Sequence, residues 1–207
     1  MNYAKQVRLG RISTSRIEIR DILKAWLAVS IAFGIVLSTS FPDFFQKFII
    51  AALTVGIGFL LHELGHKLVA QRYGCFAEFR SFDNMLVLAV LMSFFGFVFA
   101  APGAVMISGR VNSRKNGIIS AAGPLVNLIL ALLFLPLFLV SSKFFHMLAL
   151  YGFVINSWLA LFNMIPVWMF DGHKIWKWSK TAYFAMAAFL NSHWPFYFFH
   201  ASVAIWK

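Results

Sequence analysis

The sequence is poor in charged residues and in cysteine. Only 12% of its 207 residues are charged, Asp and Glu together number 7, and the one cysteine is Cys75. A single cysteine cannot form an intramolecular disulfide and cannot supply the paired thiols of a zinc knuckle. Apolar residues make up 61% of the chain and the mean hydropathy is +0.79, which excludes an ordinary soluble domain. The chain is therefore predicted to be a membrane protein.

The excess of basic residues indicates membrane topology and no nucleic-acid partner. The net charge is +11, but the Lys and Arg residues lie between apolar runs instead of forming one basic surface. Fifteen of the 18 fall in four groups, which are the segment up to Lys24 and the clusters 67–80, 110–115 and 174–180. All four are predicted to lie on the cytoplasmic side. Residues 1–21 are accordingly predicted to form a basic cytoplasmic tail, and 22–207 a single transmembrane domain.

Six apolar stretches are long enough to serve as membrane segments. They are residues 22–41, 48–70, 85–109, 117–140, 147–170 and 181–205. The predicted fold class is an all-α polytopic membrane protein with about six membrane segments.

The stretch 85–109 decides the topology. A full crossing would place the two later basic clusters outside, against the distribution of positive charge. Gly96 and then Ala101-Pro102-Gly103 break the helical pattern, so that residues 104–109 can return in an extended conformation. These features favour a re-entrant segment. A plain crossing with a weak charge bias is the alternative.

The second apolar stretch contains the pattern His-Glu-x-x-His, as His62-Glu63-Leu64-Gly65-His66. Residues four apart lie on one face of a helix, so His62 and His66 can bind one metal ion. Glu63 lies beside them and is the predicted general base, which takes the proton of the attacking water while zinc polarises the scissile carbonyl. An uncompensated carboxylate within a span costs about 3 kcal/mol, which makes a chance cluster of ionisable groups improbable. The pattern indicates a zinc metalloprotease.

A catalytic zinc takes three protein ligands and leaves one position open, so a third ligand is expected at a similar depth. The other acidic residues are poorly placed, since they fall in the tail, in an outer break or in the connection after the second stretch: Glu18, Asp21, Asp43, Glu78 and Asp83. Asp171, at the inner end of the fifth stretch, is the best third ligand. His62 lies about 21 Å across a hydrocarbon core of about 30 Å, which predicts a site towards the cytoplasmic face.

Two further motifs accompany the zinc pattern in order along the chain. They are Ala122-Gly123-Pro124-Leu125-Val126-Asn127 and the run from Asn163 through Pro166 to Asp171-Gly172. Together the three resemble the site-2 protease family of intramembrane zinc metalloproteases, whose pattern Asn-x-x-Pro-x-x-x-x-Asp-Gly is met with its spacing intact. The resemblance covers about residues 48–180, the predicted catalytic core. It implies that Asp171 is the third zinc ligand.

The resemblance also assigns expected roles to three other residues. It implies that Asn127 and Asn163 hold the substrate backbone or the developing oxyanion, although a buried Asn127 that packs helices is the alternative. His173 stands where many members have a second glycine, so it either supports the metal site or is an interfacial histidine. Many members carry PDZ or CBS domains, for which this chain has no room. We therefore expect a minimal form of the family.

The predicted function is intramembrane proteolysis. The substrate is expected to be a transmembrane protein, cleaved within or near its membrane helix as in regulated intramembrane proteolysis, with Zn²⁺ as the cofactor. A membrane metal transporter and a catalytically inactive membrane adaptor are the alternatives. A transporter predicts ionisable residues along a whole pathway, whereas an inactive adaptor usually lacks the glutamate or one ligand.

The topology can be tested by labelling single cysteines from each side of the membrane. Cysteines placed at Arg80, Asn112 and Lys177 should react from one side only, and one placed at Ser142 from the other, because the basic clusters stay in the cytoplasm. Labelling of position 112 from the same side as position 142 would contradict the re-entrant segment.

Overall fold

The computed structural model describes residues 6–9, 12–98, 101–167 and 170–191. These residues are mostly helical. They fall into two compact units, one up to Val111 and one from Asn112 onward.

The first unit joins a long helical run to two small antiparallel sheets. Strand β1 pairs with β2, and β3 pairs with β4. The elements in chain order are β1 (Gln6–Leu9), β2 (Ile12–Ser15), α1 (Arg16–Leu37), a 3₁₀ turn (Phe41–Asp43), α2 (Phe44–Ala51), a π-helical turn (Ala52–Gly56), α3 (Ile57–Arg72), β3 (Phe76–Ser81), α4 (Asp83–Ser93) and β4 (Gly103–Ser108).

The described residues of the second unit form helices and no strands. They are α5 (Ser113–Phe134) with a 3₁₀ turn (Leu135–Leu139), α6 (Lys143–Asn163), α7 (Asp171–Trp178) and α8 (Lys180–Asn191). Helix α5 packs against α6 and α7, and the contacts are close because Gly117 lies against the Trp178 side chain and Gly152 against the Phe134 ring. Leu128, Ala160, Met164 and Ile175 form the buried centre.

Helix α1 begins with a side-chain cap. The Ser15 hydroxyl accepts a hydrogen bond from the Glu18 N–H at 3.1 Å, as expected for the Ser-x-x-Glu pattern at a helix start. Residues 16–21, assigned to a cytoplasmic tail by charge, are therefore the first turns of a helix, and Glu18 and Asp21 are buried in the fold.

Helix α1 packs closely against α2 and the π-helical turn, which precede the histidine motif in the same helical run. A side chain at Gly34 would crowd Phe48, and one at Gly56 would crowd Trp26 and Ser30. The Trp26 indole N–H donates to the Ala52 carbonyl at 3.1 Å, in the π-helical turn. The absence of a side chain at Gly56 therefore lets α1 approach this turn closely.

The β3–β4 sheet corrects the expectation of an all-α fold. Residues 103–108 are extended as expected for the return of the segment 85–109, but the strand with which they pair, β3, was not predicted. Pairing partners such as Phe79 and Val105 lie far apart in the chain. An alternation of apolar and polar residues over only six positions is also too short to predict such a pair of strands. Between the strands, α4 has 11 residues, about 16 Å, and is too short to cross a core of about 30 Å.

Among the described residues, three helices are long and apolar enough to cross a membrane. They are Phe41–Arg72, Ser113–Leu139 and Lys143–Asn163. The predicted stretches 48–70, 117–140 and 147–170 correspond to them, with ends shifted by up to seven residues. The last predicted stretch lies outside the described residues beyond Asn191. Helix α1 is not among these three helices, because charged side chains, among them Asp21 and Lys24, lie within its first nine residues.

A buried ion pair links α1 to α3. The Lys67 Nζ lies 2.5 Å from Glu18 Oε2, with side-chain exposures of 3% and 0%. The same oxygen accepts from the Thr14 hydroxyl, while Oε1 accepts from the Phe79 N–H. Lys67, counted above as a cytoplasmic charge that marks topology, instead neutralises an internal carboxylate.

Replacement of Lys67 should be strongly destabilising. Lys67→Met leaves the Glu18 carboxylate buried without its counter-charge, which costs about 3–5 kcal/mol. We expect that loss in the free energy of unfolding measured in detergent. The double variant Glu18→Gln, Lys67→Met should lose clearly less, since it buries no lone charge. Equal stability of Lys67→Met and the wild type would contradict this account.

Candidate metal centre

Helix α3 brings the two histidines of the motif together as predicted. The Nε2 atoms of His62 and His66 are 3.1 Å apart, and the two rings stand at 85° to each other. Two nitrogen ligands of one tetrahedral zinc, each at about 2.05 Å, lie about 3.3 Å apart. The observed separation therefore fits joint coordination of one zinc ion.

The donor set is compact and largely enclosed. The ligand atoms that His62, Glu63 and His66 can offer all lie within 4.8 Å of one another. His62 and His66 are 5% and 8% exposed, and Glu63 is half-buried. Imidazole and carboxylate are ligands that zinc commonly takes in catalytic sites. The site residues in this unit thus suit a zinc ion.

The Glu63 carboxylate is hydrogen-bonded to the neighbouring sheet. Its Oε2 accepts a hydrogen bond from the Val105 N–H of β4 at 3.0 Å. Val105 and Phe59 both pack against the buried cluster of Ala25, Phe79 and Leu86. The predicted general base is thus held from outside its own helix.

Glu63 is the first of three polar residues that recur every four positions along one face of α3. The second, Lys67, pairs with Glu18 at 2.5 Å. The third, Gln71, donates from Nε2 to the Ala77 carbonyl of β3 at 3.0 Å. Its side-chain amide also donates to the Ser13 carbonyl and accepts from the Ser13 N–H. This polar row binds the surrounding strands, while His62 and His66 occupy an adjacent face.

This polar row and its partners were not predicted from the sequence. Its signal is the spacing of Glu63, Lys67 and Gln71 at i, i+4 and i+8, together with the cap pattern that begins at Ser15. Glu78 was also set aside as a loop acid. It is buried, accepts from the Ser15 hydroxyl and pairs with Arg80 at 2.7 Å.

Asp171 lies in the second unit, at the first position of α7. It is 7% exposed, and Lys174 Nζ lies 3.4 Å from its Oδ1. The glycine that follows it has a local reason, because a side chain at Gly172 would collide with the main chain of Met164 and Ile165 at the end of α6. The absence of a side chain at Gly172 therefore allows α7 to pack directly against the end of α6. The role of Asp171 as third zinc ligand stays a prediction.

The other predicted site residues also lie in the second unit. Asn127 is fully buried, and its amide donates to Asn156 Oδ1 at 2.9 Å, between α5 and α6. This is the contact that the helix-packing alternative describes. Asn163 is half-buried and donates to the Leu159 carbonyl at 2.9 Å, within its own helix. His173 is half-buried on α7. Their predicted roles towards a substrate or the metal stay predictions.

Comparison with known proteins identifies relatives that are named for zinc proteolysis. A protein of Methanocaldococcus jannaschii, provisionally named a zinc metalloprotease, is 40% identical over 170 residues, which cover 80% of this chain and 86% of the relative. A second protein of that organism, named a zinc metalloprotease, is 26% identical over 84% of this chain and 45% of its own length. A Bacillus subtilis protein, also provisionally named a zinc metalloprotease, is 29% identical over 59% of this chain and 65% of its own. No family model and no solved structure matches the chain.

The packing at Gly172 can be tested by a single methyl group. Gly172→Ala should lower the free energy of unfolding by about 1–3 kcal/mol, because the added Cβ has to displace main-chain atoms of α6. Lys177→Ala, an exposed position on the same helix, is the matched control and should change stability by less than about 0.5 kcal/mol. Equal denaturation curves for both variants would show that α7 is not seated in this way.

Proposed function

The chain belongs to the zinc metalloprotease family of these relatives, and on that premise we propose that it is an intramembrane protease of the site-2 type. Its reaction is hydrolysis of a peptide bond within or near a transmembrane helix of another protein. One observation carries the proposal: the buried His62 and His66 pair, with Glu63 beside it, lies in a helical run, Phe41–Arg72, that is long and apolar enough to cross a membrane.

The residues of the site have separate roles in this proposal. His62, His66 and Asp171 hold the ion, and a bound zinc supplies a Lewis acid that polarises the scissile carbonyl and acidifies water. Glu63 takes the proton of the attacking water and passes it to the leaving amine. Asn163 and His173 are proposed to line the site. For Asn127, the hydrogen bond to Asn156 supports a role in helix packing.

The proposed topology keeps the six predicted membrane segments, the stretch 22–41 among them, with residues 85–109 re-entrant. Two observations support the re-entrant segment. The chain returns to the start of the segment, since the Phe82 N–H just before α4 donates to the Pro102 carbonyl just before β4 at 3.1 Å. In addition, α4 has only 11 residues. The basic residues on both sides of the segment then share the cytoplasmic side. The active site is proposed to open towards that side.

The proposed substrate is a transmembrane helix that unwinds locally, because a helix hides its amide bonds from the metal. Strand β4 is suited to bind the unwound segment as an added strand. Its residues Met106 and Ile107 are exposed, and its edge opposite β3 carries main-chain groups that point away from the sheet. Those groups supply the hydrogen bonds of strand addition, whatever the side chains of the substrate.

Replacement of the general base should separate metal binding from catalysis. Glu63→Gln preserves the shape of the side chain but cannot take a proton, so zinc should stay bound while cleavage falls by about 10²- to 10⁴-fold. The measurements are zinc content of the purified protein and cleavage of a reconstituted transmembrane substrate. Full cleavage by Glu63→Gln would refute the mechanism.

Replacement of a ligand should abolish both properties. His66→Ala and Asp171→Ala leave two protein ligands, which hold zinc poorly, so metal content and cleavage should be lost together. A chelator should likewise abolish cleavage by the wild-type protein. Unchanged zinc content in Asp171→Ala would remove this residue from the ligand set. Zinc uptake into vesicles without any cleavage would favour the transporter, and neither activity would favour the inactive adaptor.

A further inference from the structure

The sheet next to the metal centre is held on both edges by carboxylates. Phe79 of β3 and Val105 of β4 lie opposite each other. Each directs its N–H away from the partner strand: Phe79 donates to Glu18 Oε1 at 2.8 Å and Val105 donates to Glu63 Oε2 at 3.0 Å. This is the arrangement of a non-hydrogen-bonded pair in an antiparallel sheet. One residue pair thus connects a structural carboxylate with the proposed catalytic one.

Helix α3 controls both of these contacts. Glu63 contacts β4 directly, and Lys67, one turn later on the same face, contacts β3 through Glu18 at 2.5 Å. The two strands also approach each other closely, because Gly103 lies so near the Phe79 ring that a side chain there would collide with it. The position of the Val105 N–H relative to α3 is therefore fixed from two sides.

We propose that the main-chain N–H of Val105 is a positioning group for Glu63. It fixes the carboxylate through Oε2, so that the general base keeps one orientation beside His62 and His66. The proposal rests on the role of Glu63 given above and adds a requirement for β4. Since one N–H serves one acceptor here, a substrate strand added to this edge pairs with other main-chain groups of β4, such as the N–H of Ile107.

Amide hydrogen exchange tests the contact without any activity. In metal-free protein, Glu63→Ala should accelerate exchange of the Val105 amide by about tenfold or more, because its acceptor is lost. The Met106 amide is the control, since by strand alternation it points towards β3 and should keep its wild-type rate. No acceleration at Val105, or equal acceleration at Met106, would overturn the proposal.

The kinetics of cleavage test the positioning role of the Val105 N–H. Val105→Pro removes an outward N–H, which a strand edge tolerates and which bonds no neighbouring strand, and it replaces the packed Val side chain with another apolar group. It should lower kcat about tenfold or more with KM within about twofold and zinc content unchanged. Ile107→Pro removes the outward N–H that is left for the substrate, so it is the matched comparison and should raise KM instead of lowering kcat.

The outcomes separate this proposal from the one on which it rests. Full cleavage by Glu63→Gln would refute Glu63 as the base. Loss of cleavage in Glu63→Gln, with a normal kcat in Val105→Pro, would refute only the positioning role. A rise in KM alone in Val105→Pro would assign its N–H to the substrate instead and would also overturn the proposal. If Val105→Pro does not fold, the exchange rates of Glu63→Ala decide.

Discussion

The first unit depends on the neutralisation of one buried carboxylate. Glu18 is inaccessible to solvent, and an ionised group in that position is tolerated only with a counter-charge and with its oxygens hydrogen-bonded. Lys67 supplies the charge, and Thr14 and Phe79 supply the hydrogen bonds. The partners come from the segment before α1, from α3 and from β3, so a single charge requirement brings three elements of the chain together. The helix that carries the zinc ligands is one of them.

The part of the site that could be predicted from sequence is the part that is local. His62 and His66 are one helical turn apart, and any regular helix brings their rings together, as the 3.1 Å between their nitrogens confirms. The contacts of Glu63 with β4 and of Lys67 with Glu18 span 42 and 49 residues of the chain. Neither periodicity nor hydropathy encodes such distances. The rule that places basic residues at membrane borders also assumes that a lysine faces water, an assumption that fails for a lysine buried in an ion pair.

The fold was predictable to a similar extent. Long apolar runs predicted the helix Ser113–Leu139 to within four residues at each end and Lys143–Asn163 to within seven, because hydrophobic length defines such helices. The strands β3 and β4 were harder, since each has six residues and is stabilised by its partner and by side chains of α3. The pair Asp171-Gly172 illustrates the difference between what a motif predicts and what packing explains. The motif predicted a functional aspartate, but only packing explains why the next residue lacks a side chain.

The π-helical turn Ala52–Gly56 sets the rotational phase of the metal ligands. A π turn holds one residue more than an α turn, so it rotates everything after it by about 100° around the helix axis. Helix α1 contacts this turn through Trp26, whereas the histidines follow it along the same helical run. Conversion of these five residues into a regular α-helix, with no residue lost, would leave every motif and the overall hydropathy intact. It would nevertheless turn His62 and His66 away from their present direction, so that the conformation of this segment is constrained as strictly as the identity of the ligands.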